Sequence, residues 1–485
     1  MNITDRTAAR SGAIWTVMSS VISMVTQLGR VMILTRFLEK ADFGIVAIVN
    51  VIIGFCTVFS DLGFTSVLLY KKRMSPVEFS SLYWVQFFVF AVIYVILVIL
   101  SPYFGKFYGE PQLIDIIPLS SLGLICIAMG KQYETVLQME YKFNVIAVRN
   151  IITNVLSLIL AAYLAYNRWG VYSLVLSTLF QLLIINIWNI ISGYNVSPLS
   201  FTINLNIIKP LLKIGLYQTY TRIFDYFASK LDIIIIGKFL GTEAVGVYDL
   251  SKSLVYRIID FIRAVITQVA TPIITNNNTK PEVVTTRFLQ LTNFVAITCI
   301  PICFAFATFS KEILFIAYGS EYTDAYIILS VFSITTMVGC IISAFDILGV
   351  AKGRTDLNFK STVYRTLISI PFVLISCSIS LELVTIVQLV LTVLLSFLNW
   401  KIVVEKTYPI KPILFCKQFA VILMVMILVS LTTLGICQVM TIFLQISNEL
   451  IFIYKIILFC ALCLFSLMTL QRDQAILIIK MFLRK

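Results

Sequence analysis

Residues 83–100 read YWVQFFVFAVIYVILVIL, eighteen positions without a charge. A helix of about 20 such residues crosses the roughly 30 Å hydrocarbon core of a bilayer. Comparable runs recur along most of the 485 residues. A water-soluble core could hide one or two of them, but not more than ten. Lipid offers the backbone no hydrogen bonds, so a spanning chain must close them within helices or a barrel. The runs have helix length, and the chain is expected to be an all-α integral membrane protein. Composition agrees: 59% of residues are hydrophobic and 13% charged, against about 25% charged in soluble domains.

The apolar runs divide into about fourteen segments, near 12–34, 44–66, 80–100, 113–130, 145–165, 170–190, 211–236, 245–270, 288–309, 325–349, 361–379, 384–400, 414–436 and 450–470. Basic residues test the count, because short cytoplasmic loops collect Lys and Arg. With the N-terminus inside, one set of breaks holds 24 basic residues, among them Lys71, Lys72, Lys131, Lys142, Arg149, Lys352 and Arg354. The opposite set holds 7: Arg36, Lys40, Lys106, Arg168, Lys238, Lys311 and Lys455. An error in the count would scramble this alternation beyond it. The expectation is a multi-pass chain of fourteen spans with both termini cytoplasmic. The net charge of +13 then belongs to basic loops, and no nucleic-acid partner is expected.

The start MNITDRTAARSGAIW leads directly into a full apolar segment without a small-residue cleavage site, so the first segment is expected to stay. Ten cysteines lie in or beside apolar runs, and the chain has no histidine. They read as small buried side chains. No metal and no cofactor are expected.

A repeat sets the next constraint. TRFLEKADFGIVAI at 35–48 aligns without a gap on GKFLGTEAVGVYDL at 237–250, an offset of 202. Phe37 falls on Phe239, Leu38 on Leu240 and Gly44 on Gly246. The two stretches join spans 1 and 2, and spans 7 and 8. Six spans lie between them, so both corners are on the same side. That is a parallel repeat, whose axis runs along the membrane normal. It predicts two six-helix lobes, 1–200 and 201–408, around a central cavity, with two further helices and a tail in 409–485.

Charges inside spans are costly and by default line a cavity. They gather in spans 7 and 8: Arg222, Asp225, Lys230 and Asp232, then Asp249, Lys252, Arg257, Asp260 and Arg263. Counted from the shared corner at about 1.5 Å per residue, three opposite pairs match in depth: Asp225 with Arg257, Arg222 with Asp260, and Asp232 with Lys252. Two readings stand, ion pairs tying span 7 to span 8, or contacts to a substrate. Arg30 in span 1 and Arg263 in span 8 have no depth-matched acid on the neighbouring span and are the candidates for free cations. Tyr217, Gln218, Tyr220, Tyr226, Tyr248 and Tyr256 add groups that stack on or hydrogen-bond sugars, or that anchor and pack helices.

Several strings resemble the Wzx-type polysaccharide repeat-unit flippases of the multidrug/oligosaccharidyl-lipid/polysaccharide exporter superfamily. They are SGAIW (11–15), LTRFLEKADFGIVAI (34–48), FSDLGFTSVLLYKK (59–72), FYGEP (107–111), KLDIIIIGKFLGTEAVGVYDLSKSL (230–254), TPI (271–273) and LGVAKGRTD (348–356). The resemblance covers about residues 5–360. Its motif positions include Arg36, Phe37, Leu38, Phe43, Gly44, Asp61, Leu62 and Gly63, then Asp232, Gly237, Gly241, Gly246 and Tyr248. It implies the two-lobed fourteen-helix fold. It also implies an undecaprenyl-pyrophosphate-linked oligosaccharide moved from the cytoplasmic to the periplasmic leaflet, with the polymerase and glycosyltransferases of the same pathway as partners. Apart from the resemblance, Gly44 and Gly246 suit close packing, and Arg36 at a helix end can reach the interface.

Other functions remain open. A multidrug or lipid II exporter would share the fold. A membrane glycosyltransferase or polymerase would need a larger catalytic loop than the longest breaks here, SKEILFIAYGSEYTD and SPYFGKFYGEPQL. No GxxxxGK[ST] phosphate loop is present. A transporter, not an enzyme, is the expectation.

Overall fold

In the computed structural model, the described residues are 3–61, 75–274, 281–408, 410–444 and 448–470. Fourteen long helices account for most of them: α1 Ile3–Leu34, α2 Lys40–Asp61, α3 Pro76–Tyr108, α4 Leu113–Met139, α5 Phe143–Tyr166, α6 Val171–Gly193 and α7 Leu205–Phe239. Then follow α8 Gly241–Ile274, α9 Pro281–Thr308, α10 Tyr326–Ala351, α11 Thr355–Cys377, α12 Leu381–Asn399, α13 Pro412–Leu444 and α14 Asn448–Leu470. Shorter helical stretches lie at Ser310–Tyr318, Ser320–Ala325, Trp400–Val404 and Glu405–Thr407. No strand occurs among the described residues.

Each apolar run read from the sequence overlaps one long helix, and residues 62–66 of the second run lie outside the described residues. Among the described residues, ten stretches are long and apolar enough to cross a membrane. Helices α7 and α8 are not among them, because their own charges interrupt the apolar window.

The ends obey local rules. Ser75 caps α3 with a capping box: its hydroxyl accepts from the Glu78 amide, and the Glu78 carboxylate accepts from the Ser75 amide. Gly109 closes the same helix at φ 74°. The LGVAKGRTD string is the α10–α11 corner. Gly353 takes φ 71° there, and Arg354 binds Asp356 through two hydrogen bonds of 3.0 and 3.2 Å.

The chain divides into two compact units, Met1–Leu250 and Ser251–Lys485. In the first, α4 packs on α3 and α6, α5 on α1 and α6, and α2 on α7. Phe79, Tyr83 and Tyr133 form a buried aromatic cluster between α3 and α4. In the second, α9 packs on α10 and α13, and α12 on α10 and α11. Phe288, Phe345, Trp400 and Phe415 pack ring to ring there at centroid distances of 5.0–6.4 Å. Lys352 reaches the Thr407 carbonyl and lies 4.8 Å over the Tyr408 ring.

Candidate functional site

The first unit brings the two copies of the repeated corner together. A Cβ added to Gly44 would fall on the Thr242 carbonyl, and one added to Gly246 would fall on the Lys40 carbonyl. Each added Cβ would also lie 3.1 Å from the other glycine's amide nitrogen. Lys40 and Thr242 stand at the same offset as the glycines, so the contact maps onto itself by a local two-fold. Only residues without side chains let two backbones approach this closely.

Polar ties surround the contact. Lys40 pairs with Glu243 at 3.7 Å. Thr242 donates to Glu110 at 2.7 Å. Lys238 donates to the Phe107 carbonyl at 2.6 Å and lies 4.7 Å over the Phe107 ring. Gly237 lies against Tyr108 and Ile48. Arg36 is exposed at the end of α1. Gly63 and the Asp61 side chain lie outside the described residues.

On α7, Arg222 and Asp225 are exposed and Lys230 and Asp232 half-buried. Asp232 accepts the Tyr248 hydroxyl at 2.5 Å, and its other oxygen accepts the Ile233 amide at 2.9 Å. Both Asp232 and Tyr248 are motif positions, and the fold makes them a bonded pair. On α8, Lys252 lies 5.8 Å from the Tyr256 ring, Arg257 is half-buried and Asp260 exposed. The Arg263 side chain lies outside the described residues. The three depth-matched pairs each join a residue before Leu250 to one after it, and their pairing is a proposal. Of the tyrosines named from sequence, Tyr226 donates to the Val51 carbonyl at 2.7 Å and rests on Gly54. The side chains of Tyr217, Gln218 and Tyr220 lie outside the described residues.

Arg30 is engaged more fully than its sequence context suggested. Its guanidinium donates to Ser157 at 3.4 Å, the Leu174 carbonyl at 3.0 Å, Ser177 at 2.6 Å and Thr178 at 2.9 Å. These oxygens belong to α5 and α6, so the cation ties α1 to both. Further along the same faces, Asn154 donates to Ser23 at 3.0 Å, and Gln181 donates to Asn154 at 3.1 Å.

Arg149 is a correction. Placed in a basic loop by the sequence, it lies inside α5 and is 2% exposed. It donates to Asn150 at 2.8 and 3.2 Å and to Asn189, with Glu134 4.0 Å away. The sequence did carry a signal. Arg149, Asn150, Thr153, Asn154 and Ser157 share one helical face, and charge counting by loop passed over it.

Residues 33–327, well over half of the chain, match the polysaccharide biosynthesis protein family. The chain belongs to that family. Among curated relatives, the teichuronic acid biosynthesis protein TuaB of Bacillus subtilis is 26% identical over 353 residues, 72% of each chain. The lipopolysaccharide biosynthesis protein WzxC of Escherichia coli is 24% identical over 417 residues, 84% of each chain. Among solved structures, the lipid II flippase MurJ in an inward closed conformation aligns at TM-score 0.75 and 18% identity, over 95% of this chain and 99% of that one. An inward-facing multidrug transporter of the MATE family aligns at TM-score 0.58 and 14% identity, over 79% and 94%. The family member described here therefore has the MurJ and MATE fold.

Proposed function

We propose that this chain flips a polyprenyl-diphosphate-linked oligosaccharide, a repeat unit of O-antigen, capsule or exopolysaccharide, from the cytoplasmic to the periplasmic leaflet. Undecaprenyl pyrophosphate is the carrier that the family resemblance implies. The chain works in a bacterial inner membrane with fourteen spans, both termini inside and two parallel lobes, 1–200 and 201–408. It acts by alternating access, beside the polymerase and glycosyltransferases that use the same lipid.

The observation that carries this reading is Arg30. It is a guanidinium within an apolar helix, held in a fixed pose by α5 and α6, in a family of polysaccharide biosynthesis proteins. A diphosphate needs such a cation, and the guanidinium supplies the charge while its terminal N–H groups stay bonded to α5 and α6. Arg263, near the far end of α8, supplies a second cation at the cytoplasmic end. Arg222, Lys230, Lys252 and Arg257, balanced by Asp225, Asp232 and Asp260, line the route between.

The test is complementation of a strain lacking its own copy. The wild-type chain restores surface polysaccharide, and Arg30→Ala and Arg263→Ala fail to restore it at normal membrane levels. Arg→Lys at each site restores it in part. Full display by both alanine variants overturns the role of these cations. A null strain that accumulates no lipid-linked oligosaccharide on the cytoplasmic leaflet overturns the flippase itself.

A further inference from the structure

Helix α1 carries polar side chains at an amphipathic spacing. Thr16, Ser20, Ser23, Gln27 and Arg30 recur at intervals of four and three, which puts them on one face. At 100° per residue, Ile14, Met18, Val21 and Val25, all exposed apolar residues, lie on the opposite face. Exposed aliphatic surface on a spanning helix suits lipid. Thr16, Ser20 and Gln27 are exposed as well, yet they point away from that apolar face.

Helix α6, tied to α1 through Arg30, also carries a polar side. Thr178 is exposed on α6, on the side roughly opposite its exposed apolar residues Tyr172, Leu183, Ile187 and Ile191. Gln181 follows one turn along, and Arg30 is bonded to Thr178. The stripe from Arg30 to Thr16 runs about 21 Å at 1.5 Å per residue.

The chemistry of this wall is distinctive. It presents hydroxyls and carboxamides, and Arg30 at one end is its one charged member. Thr16 and Ser20 donate to backbone carbonyls one turn back, at 2.8 Å each, which leaves their oxygens as acceptors toward the open side. Gln27 makes no hydrogen bond to the described residues and offers both an acceptor and two donors. Neutral acceptors and donors in a row complement the hydroxyls of a sugar, each of which donates and accepts. They suit neither an alkyl chain nor a lipophilic cation.

We infer that the stripe Thr16–Ser20–Gln27, with Thr178 and Gln181, is the track for the carbohydrate part of the substrate, and that Arg30 marks its diphosphate end. The inference rests on the flippase reading and adds to it the place where the sugars are held. A site built to hydrogen-bond hydroxyls discriminates against an analogue lacking them, because its polar groups are then left unmatched.

The experiment uses the full chain purified in lipid nanodiscs. The probes are lipid-linked oligosaccharide extracted from the producing cells and sugar-free undecaprenyl diphosphate. The wild type binds the glycosylated lipid about tenfold more tightly, the worth of one or two net hydrogen bonds. Ser20→Val with Gln27→Leu removes that preference and leaves sugar-free binding unchanged. Gln27→Asn, which keeps the amide, retains part of the preference and shows that the position tolerates change. A double variant that keeps the preference, or loses both lipids equally while remaining monodisperse, overturns the sugar track. A wild type that binds neither lipid above ordinary phospholipid overturns the flippase reading, and the track with it.

Discussion

Helices α1, α5 and α6 carry one kind of polar side chain, and helices α7 and α8 another. The first holds its described cations, Arg30 and Arg149, mainly among neutral hydroxyls, amides and carbonyls. The second carries thirteen charges of both signs on two consecutive helices. Cations fixed by short side chains and carbonyls keep one geometry. Long charged side chains of both signs can exchange partners. The difference separates a fixed set of contacts from an adjustable set of charges.

Removing Arg149 is the most severe test of the fixed side. Arg149→Ala leaves Asn189 and Asn150 without their charged donor inside a packed lobe, where hydrogen bonds to charged groups contribute most. The expected loss is about 3 kcal/mol, seen as a large drop in the melting temperature of the purified chain. A change within the error of wild type would mean that the α5–α6 seam does not depend on this cation.

The corner contact comes next. Gly44→Ala and Gly246→Ala each push a methyl onto the other corner's backbone, at about 1–3 kcal/mol by overpacking. The local two-fold predicts equal effects. Gly29→Ala, whose added Cβ meets nothing within 4 Å, serves as the harmless control. Unequal losses would break the symmetry argument.

The adjustable side is sharpened by a double-mutant cycle. Asp225→Ala alone should impair polysaccharide display more than Asp225→Ala with Arg257→Ala, by about 1 kcal/mol of coupling, because a lone charge within the membrane is worse than none. Additive losses would show that the two do not pair.

The smallest effect is expected at the α10–α11 corner. The Arg354 guanidinium, hydrogen-bonded to Asp356, holds that carboxyl below its ordinary range. A depressed folded value stabilises above the unfolded pKa of about 3.9 and is lost as pH falls through the folded value. Both groups stand in solvent, so Arg354→Ala should raise the Asp356 titration, followed by carboxyl carbon shifts, without a measurable change in melting. A clear loss of stability would give this exposed pair a weight surface pairs rarely have.

The sequence alone determined the helical class, the position of each long helix and the doubled corner. These depend on apolar length and on local spacing, which are properties of consecutive residues. Gly44 and Gly246 were legible as positions for close packing, and Asp232 and Tyr248 as motif members. Only the tertiary structure decided that the two corners pack on each other, that Tyr248 bonds Asp232, and that Arg149 is buried in α5. It also decided that Arg30 is held by Ser177 and the Leu174 carbonyl, about 145 residues away. The physical reason is that a hydrogen bond between helices depends on which faces meet. Hydropathy sets which residues enter the membrane, but the faces are chosen by packing among all the helices at once.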